Sequence, residues 1–155
     1  MTDYPINLRI GGKRCLVVGG GSVACRKVKS LLAAEAQVTV LSPELTAELA
    51  EMQRKKQFNY IAKPYQEGDL GGFFLVICAT DDPFVNEAVA REAEENGILA
   101  NVVDVPELGN FSVPAQVKRG DLLLTVSTGG KSPVLAKRLR QQLAAGYGGE
   151  YGEFL

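Results

Sequence analysis

Apolar runs alternate along the chain with apolar positions spaced as on a helix. Residues 13–21, "KRCLVVGGG", are a short apolar run ending in three glycines, which predicts a buried strand entering a tight turn. From residue 22 to 34, Ala24, Val28, Leu31 and Leu32 fall at helical spacing, and "AQVTVL" (36–41) is a β-branched run. Together they predict a strand, helix, strand unit. Ser42-Pro43-Glu44 reads as the start of a second helix, with Leu45, Leu49 and Met52 on one face, before a strand around residues 58–62. "FFLVICAT" (73–80) predicts a fully buried strand. Asp81-Asp82-Pro83 then opens a helix carrying Val85, Ala88, Val89 and Ala93 on one side, Gly97 ends it, and "ILANVV" (98–103) is the next strand.

Near-continuous apolar strands separated by helices predict an α/β fold, a Rossmann-like parallel sheet with helices on both faces, over residues 1–110. After Asp104 the rhythm changes. "FSVPAQVKRGDLLLTVSTGG" (111–130) holds two strand-like runs around Lys118-Arg119-Gly120, which predicts a small antiparallel hairpin. Ser132-Pro133 is a helix cap and first turn, and Leu135, Leu139 and Leu143 mark a C-terminal helix. The glycine-rich stretch from Ala144 reads as a frayed tail or a cut inside a longer chain. Residues 111–155 thus form a second, smaller segment.

Composition changes the picture at two points. The 17 basic and 18 acidic residues nearly cancel, so bulk charge gives no reason to expect a nucleic-acid partner, and no apolar run approaches a membrane span. A soluble, cytoplasmic protein is expected. The chain has no histidine, which excludes Ser-His-Asp and Cys-His machinery and an ordinary zinc site. Any acid or base must be Asp, Glu, Lys, Tyr or Cys. Cys15, Cys25 and Cys78 are far apart and contain no CxxC pair, so core packing is expected for them, and no metal site is predicted.

The glycine run carries the first candidate chemistry. Gly19, Gly21 and Ala24 fit GxGxxA between a strand and a helix. Gly19 would allow the tight turn, Gly21 would let backbone approach a pyrophosphate, and Ala24 would let the helix pack on the strand. The plain alternative is a glycine turn with no ligand. A ribose-binding acid usually ends the second strand, whereas here Glu44 arrives late, after Leu41-Ser42-Pro43. With no arginine beside it, NAD is favoured over NADP; Glu44 can equally serve the helix macrodipole. "GGKS" (129–132) lacks the earlier glycine of a P-loop, since that position is Thr125.

Asp104 is the second candidate. It would lie at the carboxyl end of a strand, where open parallel sheets bind ligands, as would Thr80 and the Asp81-Asp82 pair. Asp81 and Asp82 read as helix-start residues. Asp104 reads either as a turn aspartate ahead of Pro106 or as an acid-base group beside a cofactor.

Four segments, "VGGGSVACRK", "ATDDPFVNEAV", "NVVDVPELGNFSVPA" and "VSTGGKSPVLAKRLR", run in order through nearly the whole chain and resemble the precorrin-2 dehydrogenase family, which includes the N-terminal part of the siroheme synthases. The resemblance implies NAD-dependent oxidation of precorrin-2, a tetrapyrrole, to sirohydrochlorin, and a homodimer formed through residues 111–155. It implies that Asp104 is the residue associated with activity, and that Ser22-Val23 and Pro43-Glu44 join Gly19, Gly21 and Thr80 around the cofactor. Lys118, Arg119, Thr128 and Lys131 are candidates to meet the substrate's carboxylates, against the plain reading of a solvated basic surface. The family normally continues into a C-terminal helical region beyond the position of Leu155, so the segment reads as shortened relative to it. Some members also insert ferrous iron, a second expectation for this chain; a module that only senses NAD is a third.

Overall fold

Five parallel strands, β1 (Arg14–Val18), β2 (Gln37–Leu41), β3 (Asn59–Ile61), β4 (Leu75–Cys78) and β5 (Leu99–Val102), form one sheet in the order β3-β2-β1-β4-β5. The computed structural model describes residues 2–155. Helix α1 (Ser22–Ala33) links β1 to β2, α2 (Ala47–Arg54) links β2 to β3, and α3 (Pro83–Glu95) links β4 to β5. Strand order therefore reverses between β1 and β4, the switch point of a doubly wound sheet.

Each face of the sheet has its own core. Cys15, Val17, Val38, Val40, Leu75 and Ile77 point to the side covered by Ala24, Val28 and Leu31 of α1 and by Leu49 and Met52 of α2. Leu16, Val18, Leu41, Val76, Cys78, Ala100 and Val102 point to the other side, against Val89 and Ala93 of α3. Period-two alternation delivers this split, because consecutive side chains of a strand leave on opposite faces. Both faces being covered is why the strands read as unbroken apolar runs.

Register sets the level of the loops. Val18 pairs with Leu41 and with Cys78, and Cys78 pairs with Val102, so β1, β2, β4 and β5 end in one row. The segments after Val18, Leu41, Cys78 and Val102 leave the sheet side by side.

Two local expectations are corrected. Ser42-Pro43-Glu44 does not start α2. The helix begins after Thr46, whose side chain accepts the Leu49 N–H, and Ser42 is buried instead, with its hydroxyl donating to Glu44 O at 2.8 Å. The stretch beyond Ala144 is also more ordered than its glycines suggest. It continues α4 (Pro133–Gly146) and then forms a short α5 (Glu150–Glu153), with edge-to-face contacts linking Tyr147, Tyr151 and Phe154. One of its glycines serves a close approach: a Cβ on Gly152 would lie 2.8 Å from the backbone of Arg119.

The chain divides into two units, one of residues Asn7–Ser112 and the other of Val113–Leu155 with the N-terminal residues up to Ile6. In the second, β6 (Ala115–Arg119) and β7 (Leu122–Val126) form the antiparallel hairpin, and Ser132 caps α4 by accepting the Leu135 N–H. No helix among the described residues is long and apolar enough to cross a membrane.

All three cysteines are buried and free, Cys15 and Cys78 in strands and Cys25 in α1. Burial pushes the Cys78 thiol up to about 11, and pushes Cys15 and Cys25 up as well. A raised pKa in the folded state means that folding favours the protonated thiol, so this contribution is full below the unfolded pKa near 9 and is lost as pH rises through 11. The unfolding free energy from denaturant titration should therefore fall above pH 9, by about 2 kcal/mol at pH 11 from Cys78 alone, and Cys78→Val should flatten that limb. An identical alkaline limb in the variant would refute the assignment.

Candidate functional site

The turn after β1 is built on three glycines with three different reasons. Gly19 has φ +128°, and a Cβ there would sit 2.5 Å from Ala79 O, so the turn lies hard against the segment leaving β4. Gly20 faces the other neighbour: its Cβ would be 2.0 Å from Glu44 O and 2.7 Å from Ser42 Oγ. Gly21 faces open space, with nothing within 4 Å of where its Cβ would be. Hydrogen bonds from Gly19 N to Leu41 O and from Thr46 N to Gly20 O, at 3.0 and 2.9 Å, complete the clamp. Ala24, fully buried, brings α1 close to the sheet.

Gly21 is the N-cap of α1. It offers no side chain to the helix's first N–H groups, and the first turn has no acidic residue. Four unengaged donors with the positive end of a helix dipole behind them favour an anion. The residues thus fit a dinucleotide's pyrophosphate, with Ser22 and Val23 in the first turn and backbone access open at Gly21.

On the β2 side, Pro43 and Glu44 are exposed. The loop is held from behind by Tyr60 of β3, whose hydroxyl donates to Ser42 O at 2.9 Å and to Pro43 O at 3.3 Å. Sequence reasoning missed Tyr60, because a tyrosine in a short edge strand carries no motif. Glu44 acts on the glycine turn through its carbonyl, which leaves the carboxylate in solvent.

On the other side of β1, the Thr80 hydroxyl donates to Asn86 Oδ1 at 2.8 Å and accepts the Asp82 N–H. Asp82 is the N-cap of α3, accepting from Phe84 N and Val85 N. Asp104 follows β5. It is exposed, sits in a turn closed by Val105 N donating to Val102 O at 3.2 Å, and has φ +68°. Left-handed backbone is a place where glycine or asparagine is the ordinary choice, so the aspartate is held there at a cost.

The loop beyond is bolted to the edge of β5. Asn110 Oδ1 accepts the Ala100 N–H at 2.8 Å, and its Nδ2 donates to Ile98 O at 3.0 Å. A Cβ on Gly109 would meet Ala100 O at 2.6 Å. Pro106 to Leu108 make one 3₁₀ turn. Lys27 of α1, half-buried, was also missed by sequence reasoning. Burial and the neighbouring Arg26 guanidinium pull its pKa below the ordinary lysine value, while the Asp104 carboxylate opposes them.

The remaining candidates belong to the second unit. Arg119 gives its guanidinium to the carboxyl end of α4, donating to Tyr147 O at 3.0 Å and Ala144 O at 3.2 Å. Thr128 Oγ1 accepts the Ser132 N–H at 3.0 Å. Lys118 and Lys131 are exposed.

A parallel sheet in this order, with an open glycine turn at its switch point, defines a Rossmann-like dinucleotide-binding domain. A family model described as putative NAD(P)-binding matches residues 6–115, and one described as sirohaem biosynthesis protein central matches residues 119–145. The chain belongs to the precorrin-2 dehydrogenase family. It is similar to the solved structure "SirC, precorrin-2 dehydrogenase", at 36% identity and a TM-score of 0.86 over 98% of this chain and 75% of that one. It is 46% identical over 152 residues to the siroheme synthase of Methylobacillus flagellatus and 44% identical over 151 residues to that of Azotobacter vinelandii, covering 98% and 94% of this chain. In both cases it spans 32% of the relative's length.

Proposed function

We propose that this chain binds NAD and oxidises precorrin-2 to sirohydrochlorin in siroheme formation. The observation that carries the reading is the open Gly21 backbone at the N-terminus of α1, level with the exposed Asp104 turn along one row of strand ends. NAD supplies the hydride acceptor. The chain's own part is to hold the pyrophosphate at Gly19, Gly21, Ser22 and Val23, to seat the adenosine side along Pro43 and Glu44, and to keep Thr80 beneath the other half. An exposed Glu44 carboxylate repels a 2'-phosphate, which favours NAD over NADP.

Removing two electrons and two hydrogens from the macrocycle sends one hydride to the cofactor and leaves one proton for a base. Asp104 is that base in this reading. It is a carboxylate at a strand end in a chain without histidine, held in strained backbone. Lys118, Lys131 and Thr128 are proposed to meet substrate carboxylates; Arg119, already engaged with α4, keeps only its unused N–H groups for that role. Incubating the protein with precorrin-2 and NAD should give NADH at 340 nm in step with sirohydrochlorin. Tight NAD binding with no NADH would favour a sensing role instead.

We also propose that the protein acts as a homodimer in the cytoplasm. Among the described residues, Val117 is the only buried apolar residue beyond Ser112, and α4 buries none, leaving Val134 75% and Leu135 44% exposed. A hairpin and helix that cannot fill a core of their own are completed by a second copy of the same segment. Sedimentation should give a dimer down to low micromolar concentration, and a monomer at all concentrations would refute this.

A further inference from the structure

Asn86 closes the first turn of α3, on the helix face that carries Val89 and Ala93 into the core, and is 4% exposed. An apolar residue would serve that core better, since a buried amide is costly unless its groups are satisfied. Half of the amide is satisfied. Its Oδ1 accepts from Thr80 Oγ1 at 2.8 Å and from Cys78 Sγ at 3.2 Å. Thr80 already accepts the Asp82 N–H, so its own hydrogen is available to give, and the buried thiol is held protonated. Two donors on one oxygen assign the orientation of the amide and put Nδ2 on the opposite side.

Nδ2 donates to no group among the described residues. Yet no fully buried side-chain nitrogen or oxygen there lacks a partner. Nδ2 therefore keeps some access to solvent from an otherwise buried residue, as a fixed donor without a partner among the described residues. Cys78 ends β4, and the Thr80 methyl lies 3.6 Å from where a Gly19 Cβ would be, so the amide is anchored at the carboxyl end of the sheet, beside the glycine turn. With the ribose-reading loop on the β2 side, the adenosine half of a dinucleotide runs that way and the nicotinamide half runs over β4.

We propose that Asn86 Nδ2 donates a hydrogen bond to an acceptor oxygen on the nicotinamide-riboside half of the bound dinucleotide. This deepens the NAD reading and rests on it. Thr80 and Cys78 then act as positioning residues, because they aim the amide.

The full chain and its Asn86→Asp and Asn86→Leu variants are titrated calorimetrically with NAD, ADP-ribose and ADP. Both variants should bind NAD about tenfold or more weakly while ADP stays within about twofold of wild type. ADP-ribose weakened with NAD locates the contact on the ribose, and ADP-ribose unaffected locates it on the carboxamide; either supports the proposal. Equal weakening for ADP would mean that the turn is disturbed, and unchanged NAD affinity would mean no contact; either overturns it. Wild type that fails to bind NAD would overturn the dinucleotide reading itself. Should the variants not fold, wild type with nitrogen-15 in its asparagines decides the matter. The Asn86 side-chain amide signal should move on saturation with NAD and not with ADP, and a signal unmoved by NAD refutes the contact.

Discussion

Asp104→Asn is expected to lower precorrin-2 turnover by about 10²–10⁴-fold, the range spanned by general acid-base groups, while NAD affinity and thermal stability stay near wild type. The substitution separates two properties of one residue. The backbone at position 104 has φ +68°, and asparagine tolerates left-handed geometry at least as well as aspartate, so the turn closed on Val102 O should survive. What disappears is the carboxylate proposed to take the proton, which also favours the Lys27 ammonium. The Lys27 pKa should accordingly move further down. Asp104→Gly should behave likewise, because relief of left-handed strain offsets the entropy of glycine to within about 1 kcal/mol. Steady-state turnover, NAD calorimetry and a melting curve on the same preparations check this. Turnover within threefold of wild type would remove Asp104 from the proton step, and a loss that tracked the melting temperature would reduce it to a turn residue.

Gly20→Ala and Gly21→Ala are expected to fail in opposite ways although they are neighbours. A methyl on Gly20 would lie 2.0 Å from the carbonyl of Glu44, inside a clamp that Thr46 N, Ser42 Oγ and Tyr60 hold from three sides. Neither backbone can yield cheaply, so the fold should lose about 3 kcal/mol or more. A methyl on Gly21 meets nothing within 4 Å, and that variant should melt within a degree or two of wild type. Its loss should appear only with ligand, as NAD affinity about 100-fold weaker, because the space the methyl occupies is where a pyrophosphate would approach. Gly21→Ala binding NAD normally would move the phosphate site elsewhere.

The GxGxxA pattern pointed to Gly19 and Gly21 and passed over Gly20, the glycine with the tightest contact. The reason is physical. A motif records which residues a ligand needs, whereas the demand on Gly20 comes from Glu44, brought against it when β2 docks beside β1. Ser42-Pro43 misled for the same cause, since its hydroxyl closes a loop held from behind by Tyr60 and from the glycine turn by Gly20 O, and the true cap, Thr46, has no proline to advertise it. The tail's glycines read as disorder because the surface that Gly152 fits, the backbone of Arg119, lies some thirty residues earlier in the chain. Tyr60, Lys27 and Asn86 were invisible for want of any local pattern.

The hydrophobic period by itself determined the alternation of strands and helices and a parallel sheet covered on both faces. Those follow from the geometry of the chain within a few residues, as does the presence of the glycine turn. Only the tertiary structure decided that the four strand ends lie level, that Asp104 is held in left-handed backbone beside the field of Lys27, and that Asn86 keeps one amide hydrogen pair unspent. These depend on register and on contacts between residues far apart in sequence, which no period of 2 or 3.6 encodes.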